Sequence, residues 1–156
     1  MALKDIWCFI TGLFAPGPKM MDVKVTAYGW WDNDPPGSAT IAFPSLNGKR
    51  THFRAGGVGS YDDPITFAAD PKVFKKGTMI YIPRLMKFFI MEDICGAALK
   101  RKEGEPPIVD IWIGGTATSD RDDLTEAEEN LTRETEKILV NPHNSFSCDP
   151  APLFKG

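Results

Sequence analysis

Apolar and polar residues alternate over Asp22-Val23-Lys24-Val25-Thr26-Ala27-Tyr28, the period of a half-buried strand. Ser38–Phe43 predicts a second short strand, ended by Pro44. Three more follow at Pro64–Asp70, Thr78–Pro83 and Met86–Asp93, and a sixth at Ile108–Ile113 stops at Gly114-Gly115. The Thr78–Pro83 run is nearly continuous in apolar character, which predicts burial on both faces. Pro35-Pro36-Gly37 and Lys75-Lys76-Gly77 punctuate the runs, and Pro71–Phe74 has the look of one helical turn. Residues 44–63 show little periodicity and predict a long connection, of the kind that is usually functional or mobile.

The period then changes. Leu124, Ala127, Leu131 and Ile138 fall on one face at helical spacing, Thr125 and Glu128 fit a capping box, and Asn141-Pro142 ends the run. The glutamates of this helix are expected on a solvated face. Short strands, one helical turn and a late amphipathic helix predict a mainly β protein, built as a small closed barrel.

At 156 residues the chain is one domain in size. Its organisation reads as an apolar segment and linker over 1–21, a barrel domain with the late helix over 22–141, and an extended tail over 142–156. Within the first part, Ile6–Ala15 has the length of a signal-peptide core and is too short to span a membrane. Lys4 and Asp5 before it, and Leu13 and Ala15 at its end, suit cleavage poorly, so the balance tips toward the cytoplasm over secretion. The alternative is an extension that packs on the domain. A net charge of −3 without a basic stripe gives no reason to expect nucleic acid. Cys8, Cys95 and Cys148 match no metal-ligand spacing; one disulfide or free thiols are both open, and free thiols are simpler.

Candidate chemistry lies at Asp70, Asp93 and Asp110, each delivered by an apolar, β-prone run. A carboxylate in such a run is costly to bury unless it is paired, hydrogen-bonded or used. Asp70 before Pro71 also fits a turn start, and Asp93 could pair with Arg84 or Lys87. Asp110, among Ile108, Val109, Ile111 and Trp112, is the hardest to explain without a role. Trp30 and Trp31 suit stacking on sugar rings, or core packing. Tyr28 and Tyr61 suit hydroxyl donation to a ligand or ordinary barrel hydrogen bonds, and His52 a proton shuttle or a surface site. Trp112 joins these as a candidate substrate contact. No cofactor or metal is called for, because no ligand loop accompanies the acidic residues.

The ordered set Thr26-Ala27-Tyr28, Phe67-Ala68-Ala69-Asp70-Pro71, Lys76-Gly77-Thr78 with Ile80-Tyr81-Ile82-Pro83, Glu92-Asp93 and Val109-Asp110-Ile111-Trp112 resembles the three-aspartate (3D) domain of double-psi β-barrel proteins. It is similar to the muralytic 3D proteins and the MltA-type lytic transglycosylase core, and more distantly to barwin, expansin and family-45 endoglucanase barrels. The resemblance covers roughly residues 23–115. It implies a six-stranded double-psi β-barrel with Asp110 as general acid/base at a glycosidic oxygen, supported by Asp93 and Asp70. Secreted proteins of this pattern are expected to carry extra cysteines around the second aspartate, where Cys95 stands alone here. Three functions follow as expectations: glycosidic-bond cleavage in a wall polysaccharide; an intracellular cyclase, isomerase or lyase acting on a small molecule; or a non-catalytic glycan-binding module. Oligomeric state has no signature in the sequence.

Overall fold

The computed structural model describes residues 17–156, so the apolar N-terminal segment lies outside the described residues. Six strands, β1 (Lys19–Tyr28), β2 (Ile65–Ala69), β3 (Met79–Ile82), β4 (Lys87–Ile94), β5 (Ile108–Trp112) and β6 (Arg133–Val140), close into a barrel in the order β1-β5-β2-β4-β3-β6. The β1/β5 and β2/β4 seams are parallel, and the other four are antiparallel. Among the described residues two helices accompany the barrel: α1 (Gly96–Leu99) and α2 (Arg121–Leu131).

The apolar runs bury as their patterns dictate. Val23 and Val25 of β1 are fully buried, all five residues of β2 are buried, and β3 is buried from Ile80 onward. Phe67, Phe89, Met91, Ile111 and Ile138, each at 0% exposure, fill the barrel interior. Phe74, on the turn that follows β2, packs edge-on against Phe67 at 5.6 Å.

The sequence expectation of a helix from Leu124 to Asn141 is corrected: α2 ends at Leu131, and Arg133–Val140 is the sixth strand. Leu131 and Ile138 are seven residues apart, two helical turns, and that spacing mimics a continuing helix. Thr132 leaves the helix with extended backbone, and Ile138 then points into the barrel from β6. The cap differs too. Asp120 accepts from the amides of Asp122 and Asp123 at the helix start, while the Thr125 hydroxyl donates to the Arg121 carbonyl at 2.9 Å.

Ser38–Phe43 is not a strand. Phe43 N–H donates to the Glu92 carbonyl, but Ala42 N–H is spent on the Asp93 side chain and Ala55 N–H reaches Ala39, so no ladder forms. Residues 19–21, expected in the linker, begin β1. The C-terminal residues are without regular structure, as an extended tail would be, yet they strap the barrel. Phe146 stacks on Tyr81 at 4.9 Å, Tyr81 Oη donates to the Ser147 carbonyl, and the buried Lys87 Nζ donates to the Asp149 carbonyl. Cys95 and Cys148 are free thiols. Among the described residues no helix is long and apolar enough to cross a membrane.

Candidate active site

Strand register places four side chains in one row. Thr26 on β1 pairs with Asp110 on β5, Asp110 with Ala68 on β2, and Ala68 with Asp93 on β4. Ala68 is the small member, and with a methyl group between the two aspartates the barrel wall stays open there. All three of Asp110, Ala68 and Asp93 line a cleft of about 520 Å³.

Each carboxyl is held by short-range donors. Thr26 Oγ1 donates to Asp110 Oδ1 at 2.7 Å. Asp93 Oδ2 accepts from Tyr28 Oη at 2.9 Å, and its Oδ1 accepts from the amides of Ala42 and Ile94, each at 2.9 Å. Tyr28 is fixed in turn by an edge-on contact with Trp112, its register partner, at 5.3 Å. Neither expected cation reaches Asp93: Arg84 pairs with Glu136, and Lys87 turns to the C-terminal strap.

The Gly29–Gly37 loop brings a further acid. Gly29 lies so close to Gly114 that a Cβ there would sit 2.8 Å from the Gly114 carbonyl oxygen, and Trp30 N–H donates to that same carbonyl. This docking, with the Gly29 amide donating to Asp32 Oδ1 at 2.7 Å, sets Asp32 on the cleft wall. Buried Asn33 ties the rest of the loop down through the carbonyls of Ser38 and Thr40.

Burial without a compensating cation moves these acids in one direction. Asp110 is pushed up to about 6, first by desolvation and then by the charges of Asp32 and Asp93, against the Thr26 and Cys95 hydrogen bonds that favour its ionised form. Asp93 is raised by desolvation, against the opposing pull of Tyr28 and two amides. Desolvation and the Asp110 charge push the Cys95 thiol to about 11, so it stays protonated beside Asp110. Glu128, on α2, is pushed to about 8 by burial, then by the charge of Asp32 and a shared hydrogen bond with it, then by Asp110. At neutral pH Glu128, beside Asp32, is therefore largely protonated, and Asp110 in the cleft is mostly ionised with a protonated minority that grows as pH falls toward about 6. That is the state in which a carboxyl can give a proton and take one back.

The structure brings Asp93, Asp110 and Tyr28 together and leaves the remaining predicted residues elsewhere. Asp70 accepts from the Lys72 amide at 2.9 Å and starts the turn that carries Phe74, outside the cleft lining. His52 lies between Glu92, at 2.9 Å from Nδ1, and Asp63, at 2.8 Å from Nε2, and these two carboxylates hold its pKa up at about 9. Tyr61 stacks edge-on against Phe88 and under the Arg50 guanidinium. Trp31 donates to the Ser119 carbonyl and is covered by Arg121 at 4.3 Å, while Trp30 lines a neighbouring cavity. Trp112 is buried behind Tyr28.

Sequence reasoning missed Asp32, Glu128, Thr26, Cys95 and the spacing role of Ala68. For Glu128 a signal existed. It sits four residues after Leu124 and three before Leu131, on the helical stripe that faces the barrel, so it does not belong to a solvated face.

A family model described as the DDB_G0273701 N-terminal domain matches residues 20–156. The chain belongs to this family. The matched span contains every described residue that lines the cleft, from Tyr28 to Asp110. A Dictyostelium discoideum protein, given as uncharacterized protein DDB_G0273701/DDB_G0273221, is 32% identical over 157 residues. That match covers 99% of this chain and 66% of the relative, so the chain spans just under two thirds of the relative's length.

Proposed function

We propose that this chain is a carboxylate-based acid/base enzyme on a double-psi β-barrel, cleaving a glycosidic bond with Asp110 as general acid and then base. The observation that carries the reading is Asp110 itself: half-buried in mid-strand, open to the cleft, held by Thr26 with Cys95 beside it, and raised to about 6. The barrel type is supported by the strand order, with its parallel β1/β5 and β2/β4 seams inside an otherwise antiparallel ring.

In this reading protonated Asp110 gives its proton to the glycosidic oxygen as the C–O bond breaks. The carboxylate so formed takes the proton of the attacking hydroxyl, either water or a hydroxyl of the same sugar. Asp93, held by Tyr28, places negative charge beside the developing oxocarbenium ion. Among the described residues four aspartates (32, 34, 93 and 110) and no basic residue line the cleft, which favours a neutral or cationic unit at the scissile bond over a phosphorylated or carboxylated one.

A second reading keeps the acids and replaces the glycan by a small molecule, as in a cyclase, isomerase or lyase. It is favoured by one observation: among the described residues Tyr28 is the one aromatic in the cleft lining, and its hydroxyl is committed to Asp93. Incubating the full chain with soluble polysaccharides and resolving anhydro-sugar from reducing-end products decides between them. Cleavage that Asp110→Asn abolishes supports the glycan enzyme. Polysaccharides left intact by the wild-type chain sink it and leave the small-molecule reading.

A further inference from the structure

A second cavity, of about 430 Å³, adjoins the cleft and shares Thr40 and Ile41 with its wall. Its far side is formed by Trp30, Phe53 and Arg54. The backbone there is braced, with Gly37 N–H donating to the Trp30 carbonyl at 2.7 Å and Ala55 N–H to the Ala39 carbonyl at 2.8 Å.

Three features of this cavity have no role in the fold. Among the described residues the Nε1 of Trp30 is buried with no acceptor, although such groups are normally satisfied. Phe53 is 54% exposed, at the end of a loop whose neighbour His52 is clamped by two carboxylates. Among the described residues Arg54 is the one cation in the lining of either cavity.

We propose that this cavity is a second subsite of the cleft, holding the neighbouring unit of a linear hydroxyl-bearing oligomer whose scissile bond lies at Asp110. The Phe53 ring packs on the apolar face of that unit. Arg54 donates to its oxygens, the Trp30 indole walls the unit, and Thr40 sits where the chain crosses from one cavity to the other. The inference rests on the glycan reading above and adds to it that the substrate is an oligomer of at least two units.

The test uses the full chain carrying Asp110→Asn, titrated calorimetrically with β-1,4-linked glucose and N-acetylglucosamine oligomers of one to four units. Affinity in one series is expected to rise at least tenfold once the oligomer fills both cavities. Phe53→Ala and Arg54→Ala, both at exposed positions that leave the fold intact, should each return the longer oligomer to the affinity of the single unit. The indole N–H resonance of Trp30, assigned by its loss in Trp30→Phe, should shift with the longer oligomers alone. Affinity that is flat with length, or that rises with length yet survives both alanine variants, overturns the subsite and leaves the glycan reading standing. No binding at any length in either series removes both.

Discussion

Glu92 and Asp93 are consecutive residues of β4, and they belong to opposite kinds of carboxylate environment. The β2/β4 register steps from Phe67↔Met91 to Ala68↔Asp93, so Glu92 is the extra residue of a β-bulge. Glu92, at 1% exposure, accepts from Thr66 Oγ1 at 2.7 Å and faces His52, which is also held by Asp63. Asp93 faces a phenol, two amides and further acids across the cleft. One carboxylate meets a cation and fastens the long 29–63 connection to the barrel. The other meets none, and its region is kept near its proton. Buried acids differ less in how deeply they lie than in whether a positive charge answers them.

The largest expected effect tests the unanswered side. Asp110→Asn should lower the cleavage rate by a factor of about 10²–10⁴, the range attributed to one general acid/base. The same change should leave the fold intact or raise its stability by roughly 1–3 kcal/mol, because the wild-type acid resists ionising where it lies. Urea unfolding beside the rate measurement reads both. A loss of stability would place Asp110 among the structural carboxylates, with Glu92.

Breaking the answered side should do the reverse. His52→Ala strands Glu92 and is expected to cost about 3 kcal/mol in urea unfolding, the scale of a broken buried ion pair. If the protein unfolds at the wild-type urea concentration, the clamp holds nothing.

The two regions also separate by pH. The His52 pKa is raised from 6.5 to about 9, so its contribution is complete below about 6.5 and is lost as pH rises through about 9. Asp110 is raised from 3.8 to about 6, so its contribution is complete below about 3.8 and is lost as pH rises through about 6. Glu128 adds a loss in the same direction, from 4.5 to about 8. Stability against pH should therefore decline in stages. Asp110→Asn should remove the lowest stage and His52→Gln the highest. A single stage, unchanged by either variant, would mean that the regions do not titrate independently.

Smaller effects should come from the row that joins Asp110 to Asp93. Ala68→Val fills the gap between them and is expected to cost about 1–3 kcal/mol through overpacking, with activity lost well beyond that stability change. Thr26→Val removes a donor to ionised Asp110 and should move the alkaline limb of the pH–rate profile, where the general acid loses its proton, upward, with the peak rate changed little. A limb that stays in place would assign it to another group, with Glu128 the next to examine.

Much of this molecule could be read before any fold was known, because burial leaves its mark on residue choice. Five of the six strands follow from their apolar runs, and Asp93 and Asp110 stand out as acids inside such runs. Local pattern determined the class of the protein, the positions of those strands and the pairing of acid with apolar setting. It misled where two periods coincide, as between Leu131 and Ile138, and where a run could lie along a sheet without joining it, as at Ser38–Phe43.

Tertiary structure alone decided which acids share a cleft. Asp32 and Asp110 line it from a loop and a strand far apart in the chain, Glu128 joins Asp32 from a helix, and no spacing rule connects them. It also decided that His52 belongs to Glu92, and that Asp70 serves a turn. A hydrophobic pattern records whether a position is buried, which one strand or helix can settle for itself. A carboxyl's proton affinity records what stands across from it, and that is settled by the closure of the barrel.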